Sequence, residues 1–311
     1  MGPSAAGPAT ETPTTSIVVV TYQSASHIGA CLSSIDQHAG VPVETIVADN
    51  GSTDGTLGIV QQNYPSLPVI GLPTNHGFAV AANAGAARGS AAYILFLNPD
   101  ARLQEGALPA LVGHLRDNSQ TAAAGARLVF PDGGPQDSAF RYPSLMMTWF
   151  EFYPHPARLM HTRLNGRLHS SDGQPVAVDH PLGACMLVRR AAWEDVGPFD
   201  ERFFLYCEEV DWCMRAKRRG WTIAHVPAAV VTHAGGQSAA AAPGPSLIHL
   251  YESRTLLHRK HRGLLFRAVA TAITRAGLAR ERRRLLRSDL PQAEMAPMVA
   301  AIETAIHRTR P

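Results

Sequence analysis

Short apolar runs alternate with helix-like segments over residues 16–118, and this alternation limits the fold more than any other feature of the chain. Runs such as SIVVVTY are short and β-branched, which is typical of strands buried on both faces. The strand-like segments are 16–22, the start of 43–56, 67–75 and 91–100, and the helix-like segments are 24–39, 77–89 and 105–118. This spacing predicts an α/β protein whose mostly parallel sheet is flanked by helices.

The regular alternation fades beyond residue 130. Residues 130–156 are aromatic and rich in proline, which favours a long loop lining a site. Next come a strand and a helix (184–196), a loop entering a helix with acids at its start (199–221), and one or two strands ending at His233 (222–236). From residue 247 onward the sequence is helical and basic.

The N-terminal residues 1–14 have neither a basic start nor an apolar core, so we expect a disordered leader and not a signal peptide. No apolar run approaches the ~20 residues of a membrane-spanning helix. Four cysteines at spacings that match no zinc or redox signature are expected to be free thiols in a reducing cytoplasm: Cys31, Cys185, Cys207 and Cys213.

Polar residues follow three of the predicted strands, at Thr21-Tyr22, Asp49-Asn50-Gly51 and Asn98-Pro99-Asp100. In open α/β sheets ligands bind beyond the carboxyl ends of the strands, so we expect these three ends to share a site. Neither common nucleotide fingerprint, G-x-G-x-x-G or G-x-x-x-x-G-K-[ST], is present. Asp100 suits Mg²⁺ or Mn²⁺, with capping of the following helix as the alternative. An ordinary Asx-turn is the alternative at Asp49.

Six segments, in order, resemble the family 2 glycosyltransferases, and their rhamnosyltransferase-like branch in particular. They are VVVTYQS, VADNGSTDGT, NHGFAVAANAG, LFLNPDA, the long segment from GACMLV to KRRGW (183–221), and HVPAAVVTHAGG. The resemblance extends over about residues 15 to 262. Each motif is weak by itself, whereas six in the family's order are specific.

The resemblance implies a GT-A fold: a Rossmann-like sheet with a nucleotide-binding half (15–120) and an acceptor half (121–245), followed by a basic helical extension (246–311). It implies inverting transfer of a sugar, rhamnose favoured, from a dTDP- or UDP-sugar to a hydroxyl of a glycan or lipid-linked acceptor in cell-envelope polysaccharide synthesis. A divalent metal, Mg²⁺ or Mn²⁺, is the implied cofactor. A degenerate protein that binds the nucleotide sugar without turnover is the alternative.

The family's donor-binding positions fall on residues of the first half. Thr21 and Tyr22 match the segment near the base, and Asp49 matches the acid that holds uracil or thymine. The rest of that loop is matched by Asn50, Gly51 and Asp54. The stretch beside the ribose and diphosphate is matched by Asn75, Gly77, Phe78 and Asn83.

Asn98-Pro99-Asp100 falls on the family's D-x-D motif with its first acid replaced by an amide. By resemblance Asp100 contacts the metal, while Asn98 can still hydrogen-bond a hydroxyl of the donor. His233 matches a histidine that completes the metal site or touches the diphosphate. We therefore expect the metal to be held by Asp100 and His233.

Glu209 falls on the family's catalytic base, where Asp is more frequent. A helix dipole favours its ionised form, and repulsion among Glu208, Glu209 and Asp211 should raise at least one pKa. For Asp211 we expect capping or an ion pair with Arg215. Donor sugar or acceptor should face Arg141, Gly183, Ala184 and Glu208. Trp193 and Trp212 are expected in the core.

The charge of the chain is uneven, because eleven Lys or Arg and one acid lie between residues 254 and 287, a balance of +10 that leaves −7 for the rest of the net +3. An apolar face is predicted within this tail: Leu256, Leu257, Leu264, Leu265, Phe266, Val269 and Ile273. A helix on an anionic membrane and a helix packed on the catalytic domain are equally compatible with this pattern. The expected location is the cytoplasm, at the inner face of the cell membrane if the tail binds lipid.

Two other classes of protein, nucleic-acid-binding proteins and nucleotidylyltransferases, fit the sequence poorly. No groove-reading motif accompanies the basic tail, so we expect no nucleic-acid partner. A nucleotidylyltransferase would need a glycine-rich loop with a cation after the first strand, and TYQSASHIG contains no Lys or Arg.

Overall fold

The structure is a computed structural model that describes residues 14–153, 156–159, 162–168, 173–235, 243–288 and 291–309. The predicted leader lies outside these residues except for Thr14. The strands are β1 (Thr15–Thr21), β2 (Val43–Asp49), β3 (Val69–Gly71), β4 (Tyr93–Leu97), β5 (Ala101–Leu103), β6 (Thr121–Val129), β7 (Pro135–Gln136), β8 (Ala139–Phe140), β9 (Val176–Ala177), β10 (His180–Pro181), β11 (Cys185–Arg189) and β12 (Thr222–His233).

Helices alternate with these strands and then continue alone at the carboxyl end. They are α1 (Ile28–His38), α2 (Thr56–Asn63), α3 (Phe78–Arg88), α4 (Ala107–Asp117), α5 (Leu145–Phe152), α6 (Arg190–Val196), α7 (Glu208–Arg218), α8 (Pro243–His261), α9 (Leu264–Leu285) and α10 (Gln292–Arg308). Two short 3₁₀ turns lie at Ala157–Leu159 and Arg163–Asn165.

One sheet organises the chain, in the order β3-β2-β1-β4-β11-β6-β12-β5. Its first four strands are parallel, as the alternating pattern predicts, and Thr21 at the end of β1 pairs with Asp49 at the end of β2. Strand β11 then enters antiparallel between β4 and β6, while β12 runs parallel to β6. The sheet is therefore parallel in its first half and mixed in its second.

Helices cover both faces of the sheet, so the α/β prediction is confirmed. Ile28, Leu32 and Leu111 belong to the core on one face, and Trp193 and Trp212 to the core on the other. Both tryptophans are buried as expected. Burying each large apolar side chain contributes about 1.5–3 kcal/mol, which holds the strand ends in place. All four cysteines are free and buried.

Several segments differ from the predictions. The third strand is much shorter than predicted, at Val69–Gly71, and the first helix begins only at Ile28. Strand β6 was not predicted, because its TAAAGARLV sequence has few of the β-branched or aromatic residues that favour strands. Small residues suit this central position: a side-chain carbon at Gly125 would lie 2.2 Å from Cβ of Pro181.

The prediction of a long loop over residues 130–156 is wrong for much of that range. The segment contains the short strands β7 and β8 and the helix α5. Helix α5 begins where the Ser144 hydroxyl accepts a hydrogen bond from the backbone N–H of Met147 at 3.2 Å, a standard N-cap. Its sequence LMMTWFEF is almost continuously apolar, so no helical periodicity was visible.

The C-terminal extension is helical as predicted, but its apolar residues do not form one face. The helix is interrupted at Gly263, so Leu257 and Leu264 belong to different helices. Leu257 is buried and packs with Phe203 and Val210 of the catalytic region, whereas Leu264 is exposed. Within the described ranges no helix has the length and apolar character needed to cross a membrane.

Candidate active site

The carboxyl ends of β1 and β2 form one interlocked platform at the edge of the sheet. The backbone N–H of Ser24 donates to the hydroxyl of Thr56 at 2.8 Å, and that of Ala25 donates to the carboxylate of Asp54 at 3.0 Å. Tyr22 projects from this platform with 44% of its surface exposed. The phenol ring is therefore available to a flat ligand such as a nucleobase.

Asp49 is fully buried beneath the platform. Its carboxylate accepts hydrogen bonds from the Thr21 hydroxyl at 2.8 Å, from the Ser52 backbone N–H at 2.9 Å and from the Ser52 hydroxyl at 2.6 Å. The Ser52 contacts are those of an Asx-turn, the alternative raised from the sequence. Asp49 and Thr21 thus hold the loop, and their contact with a base stays a prediction.

Asp54 and Gly51 shape the same loop. Burial raises the pKa of the Asp54 carboxyl slightly, but hydrogen bonds from Thr56 and from the N–H of Ala25 outweigh it, so the pKa is lowered. Gly51 has φ = +75°, and a side-chain carbon there would lie 2.9 Å from the backbone of Thr74. Only glycine fits this turn without strain.

The residues matched to the ribose and diphosphate contact a loop that leads into α7. The Asn50 amide donates to the carbonyl of Gly77 at 2.8 Å, and the N–H of Phe78 donates to the carbonyl of Phe204 at 2.7 Å. Gly77 has φ = +93°, and a side-chain carbon there would lie 2.5 Å from the Phe204 oxygen. We call the Gly77–Phe78 contact with Phe204 the clasp.

Asn75 and Asn83 also bond to protein atoms. The Asn75 side chain accepts from the N–H of Gly77 at 2.9 Å. The Asn83 amide donates to the carbonyl of Phe199 and accepts from its N–H, both at 3.0 Å. Asn83 thus positions the 199–207 loop and Asn75 its own turn, and their contact with a donor stays a prediction.

Asn98, Asp100 and His233 lie together at the end of β4. The His233 Nε2 atom is 3.3 Å from an Asp100 carboxylate oxygen and 3.5 Å from the Asn98 amide nitrogen. His233 pairs with Ala101 across β12 and β5, which fixes its position beside Asp100. The short strand β5 is therefore the element that unites residues more than 130 positions apart.

The chemistry of this group fits a divalent cation. The other ring nitrogen of His233, Nδ1, is 2.9 Å from the side-chain oxygen of Gln136, which can only accept. Nδ1 can therefore donate to Gln136, and in that tautomer the Nε2 lone pair faces the Asp100 carboxylate. A cation between them would satisfy both. Among the described residues no three His, Cys, Asp or Glu converge, so remaining ligands would come from diphosphate and water.

Glu209 is connected to the group of Asn98, Asp100 and His233 through residues 183–184, just before β11. The N–H of Asn98 donates to the carbonyl of Ala184 at 2.9 Å. A side-chain carbon on the neighbouring Gly183 would lie 3.6 Å from the Glu209 carboxyl carbon, so Gly183 and the Glu209 carboxyl lie side by side. Residues 183–184 thus contact both Asn98, two residues before Asp100, and Glu209.

Two carboxylates at the start of α7 are only partly hydrogen-bonded. Glu208 and Glu209 each have one buried carboxylate oxygen without a hydrogen bond. Burial raises the pKa of the Glu209 carboxyl to about 7, against a lowering by N–H groups of the first helical turn. Burial, and next the charge of Glu209, raises the pKa of Glu208 well above its ordinary value. A raised pKa was predicted, but burial and not repulsion is its main cause.

The backbone is strained where it enters α7. Tyr206 and Cys207 both have φ = 69°, a conformation that side chains other than glycine rarely adopt. Such strain costs about 1–3 kcal/mol per residue and persists only where surrounding contacts impose it. This strained pair comes directly before Glu208 and Glu209, the first two residues of α7.

Asp211 does not face the site. Its fully buried carboxylate binds Arg215 at 2.9 Å, which confirms the predicted ion pair, and it also binds Lys260 and His261 of α8. The hydrogen bonds from these partners outweigh burial and lower the pKa of Asp211. Asp211 therefore attaches the C-terminal extension to the helix that carries Glu209.

Arg141 lies beside a cavity next to α7. It lines a cavity of about 300 Å³ with Leu168, Ala177, Val178, Asp179 and Lys217. That lining includes neither Asp100 nor Glu209. The contact of Arg141 with sugar or acceptor stays a prediction. Gln136, by contrast, was not singled out from the sequence, because nothing in a segment expected to be a loop indicates that it meets His233.

A parallel half with polar strand ends, continuous with a mixed half that carries Glu209, is the architecture of the GT-A fold. A solved structure agrees on the fold: the mannosyltransferase PcManGT from Pyrobaculum calidifontis, in complex with GDP-Man and Mn²⁺, superposes with a TM-score of 0.58 at 17% identity, over 99% of this chain and 90% of that one.

Sequence comparison identifies the family. The "Glycosyl transferase family 2" sequence profile matches residues 16–195. An N-acetylglucosaminyl-diphospho-decaprenol L-rhamnosyltransferase of Mycobacterium tuberculosis is 32% identical over 88% of this chain and 93% of its own length. The rhamnosyltransferase WbbL of Escherichia coli is 28% identical over 70% of this chain and 82% of its own. The chain belongs to glycosyltransferase family 2 and is a nucleotide-sugar-dependent glycosyltransferase.

Proposed function

We propose that this enzyme transfers rhamnose from dTDP-rhamnose to a hydroxyl of a lipid-linked glycan in cell-envelope synthesis. The choice of sugar and acceptor rests on the names of the two rhamnosyltransferases described above. A UDP-sugar is the alternative donor. The proposed site lies on the inner face of the cell membrane, where nucleotide sugars are available.

The observation that carries the proposal is the state of Glu209. Its carboxyl has a buried, unpartnered oxygen beside Gly183, and burial raises its pKa to about 7. A general base works best when its pKa is near the working pH. Glu209 accepts the proton of the acceptor hydroxyl, whose oxygen attacks the anomeric carbon opposite the diphosphate. This geometry inverts the anomeric centre with no covalent sugar–enzyme intermediate.

Asp100 and His233 hold the diphosphate end of the donor. A divalent metal, Mn²⁺ or Mg²⁺, when bound there neutralises negative charge on the leaving diphosphate. Asn98 is placed 3.5 Å from His233 and offers its amide to a hydroxyl of the donor. Because Asn98 is neutral, Asp100 is the one carboxylate that this motif brings to the group.

The nucleoside end rests on the platform formed by residues 22–25 and 50–56. Tyr22 stacks on the base, and backbone groups of the loop contact the base edge and ribose. In this proposal Asp49 acts from below by fixing Ser52 and Thr21, with both carboxylate oxygens bound to protein donors. The donor therefore meets a preformed surface.

The test is release of nucleoside diphosphate from dTDP-rhamnose and from UDP-sugars, with Mn²⁺ and a lipid extract as the source of acceptor. We expect release with dTDP-rhamnose and transfer of the sugar into the lipid fraction. Donor binding, read as a rise in melting temperature, is measured in parallel. A donor that stabilises the protein without any release under these conditions would favour the degenerate, non-catalytic alternative.

A further inference from the structure

Helix α9 (Leu264–Leu285) has one face that no other part of the described chain covers. Leu264 is 75% exposed, Leu265 80% and Val269 37%, and the same face continues with exposed Arg275 and Arg283. At 3.6 residues per turn these positions fall within an arc of about 140°, so they lie along one side of the helix. Among the large apolar residues that the structure describes, Leu264 and Leu265 are the two most exposed.

The opposite face of α9 is packed, so the exposure is a property of a fixed helix. Ala270 and Leu278 are buried at 1% exposure, and a side-chain carbon on Gly277 would lie 2.1 Å from the Phe152 ring of α5. Arg280 donates to the carbonyl of Phe152 at 2.6 Å. The leucines are therefore presented on a rigid support.

The exposed face is apolar in its first half and basic in its second. The single acid of α9, Glu281, is directed to an ion pair with Arg284 at 3.7 Å, and the exposed residues of α9 beside Arg275 and Arg283 include no acid. A helix with leucines that can enter the acyl boundary and arginines for anionic headgroups is suited to an interfacial position.

This face is attached to the catalytic helix. Lys260 and His261, just before α9, bind Asp211, two residues beyond Glu209. Arg262 donates to the carbonyl of Pro143 at 2.9 Å, in the segment that joins β8 to α5. Leu264 thus begins within one turn of the point where the extension is fixed to α7.

We propose that the face of α9 defined by Leu264, Leu265, Val269, Arg275 and Arg283 docks on an anionic lipid bilayer. Docking orients the enzyme so that a lipid-linked acceptor reaches Glu209 without leaving the membrane. The role of the acceptor in this statement rests on the function proposed above, whereas the docking itself does not.

The experiment is flotation of the full chain with vesicles of phosphatidylcholine containing about 30% phosphatidylglycerol, compared with phosphatidylcholine alone. We expect flotation with the anionic vesicles that weakens with salt. The double variant L264S/L265S should bind at least about tenfold more weakly, because its leucines no longer enter the bilayer. The matched control is L164S, at a leucine that is 56% exposed elsewhere on the surface.

The outcomes separate the alternatives. Absence of flotation, or equal flotation of the double variant, overturns the proposal. So does a wild-type dimer in solution that the double variant dissociates while neither floats, since the face would then be an interface between two copies. Melting temperatures of all variants should be unchanged. The proposed function is tested separately, by donor-induced stabilisation and turnover without vesicles. If turnover is absent while flotation is intact, the proposed function is wrong and the docking surface stands.

Discussion

The donor end and the acceptor end of the site differ in how their polar groups are satisfied. At the donor end the carboxylates of Asp49 and Asp54 and the amide of Asn50 all bond to protein groups. At the acceptor end Glu208 and Glu209 each keep a buried oxygen without a partner. Leaving a buried acceptor unpaired costs about 1–3 kcal/mol. The proposed donor end thus has its polar groups satisfied, whereas the proposed acceptor end keeps unpaired oxygens at the residue that we propose as the base.

The largest effect should come from removing the charge at the acceptor end. Glu209→Gln keeps the shape of the side chain but cannot accept a proton, so kcat should fall by about 10²–10⁴-fold. Donor binding, measured by thermal shift, should stay near normal because the platform is untouched. Glu105→Gln, at an exposed glutamate, is the control and should leave kcat unchanged. Undiminished turnover in Glu209→Gln would place the base elsewhere.

The clasp between the two ends should be the next most sensitive point. Gly77→Ala requires a left-handed backbone at φ = +93° and sets a carbon 2.5 Å from the Phe204 oxygen. We expect a loss of about 3 kcal/mol or more in the free energy of unfolding, measured by urea denaturation. Gly58→Ala in α2, where a side-chain carbon meets no atom within 4 Å, should be neutral or stabilise by up to about 1 kcal/mol. Equal effects of both variants would show that the clasp is not tight.

Gln136 tests whether His233 is oriented for a cation. Gln136→Leu removes the acceptor of the Nδ1 proton, so the ring loses its fixed tautomer. The Mn²⁺ concentration needed for half-maximal thermal stabilisation in the presence of nucleoside diphosphate should rise about 10–100-fold. Gln104→Leu, whose amide contacts Thr232 at the surface, is a matched control. No change in Gln136→Leu would mean that His233 is oriented without it.

The smallest effect concerns stability and pH. The pKa of Glu209 rises from an ordinary 4.5 to about 7 on folding, so between those values the folded chain keeps a proton that the unfolded chain has lost. The contribution of the Glu209 carboxyl to the free energy of unfolding is fully present below about pH 4.5 and is lost as the pH rises through about 7. The melting temperature of Glu209→Gln minus that of the wild type should therefore be larger at about pH 8 than at about pH 5. A pH-independent difference would indicate an ordinary pKa for Glu209.

The sequence predicts the donor half better than the acceptor half, for a physical reason. Buried strands such as β1 and β4 carry dense β-branched or aromatic residues, and their ends carry polar clusters that parallel strands must bring together. Strand β6 is alanine-rich and α5 is almost wholly apolar, so neither shows a diagnostic period. Their positions follow from packing against partners distant in sequence.

The same limit applies to the site residues. Asp100 is visible as an acid at a strand end, but its approach to His233 depends on the pairing of β5, a three-residue strand too short to predict. Asn83 sits in a helix of small residues, and its bonds to Phe199 span 116 positions. Glu209 was assigned through resemblance alone, and its burial, which sets its pKa, required the fold.

The ion pairs of Asp211 limit whether the C-terminal helices can be removed or exchanged without disturbing α7. A carboxylate with no solvent contact depends on Lys260 for part of its countercharge and on His261 for a hydrogen bond, and losing a partner of a buried pair costs about 3–5 kcal/mol. Truncation before residue 260, or a graft of these helices from a relative lacking these two partners, would unsettle the helix of the proposed base. Chimaeras of this enzyme should therefore exchange α7 and α8 as one unit.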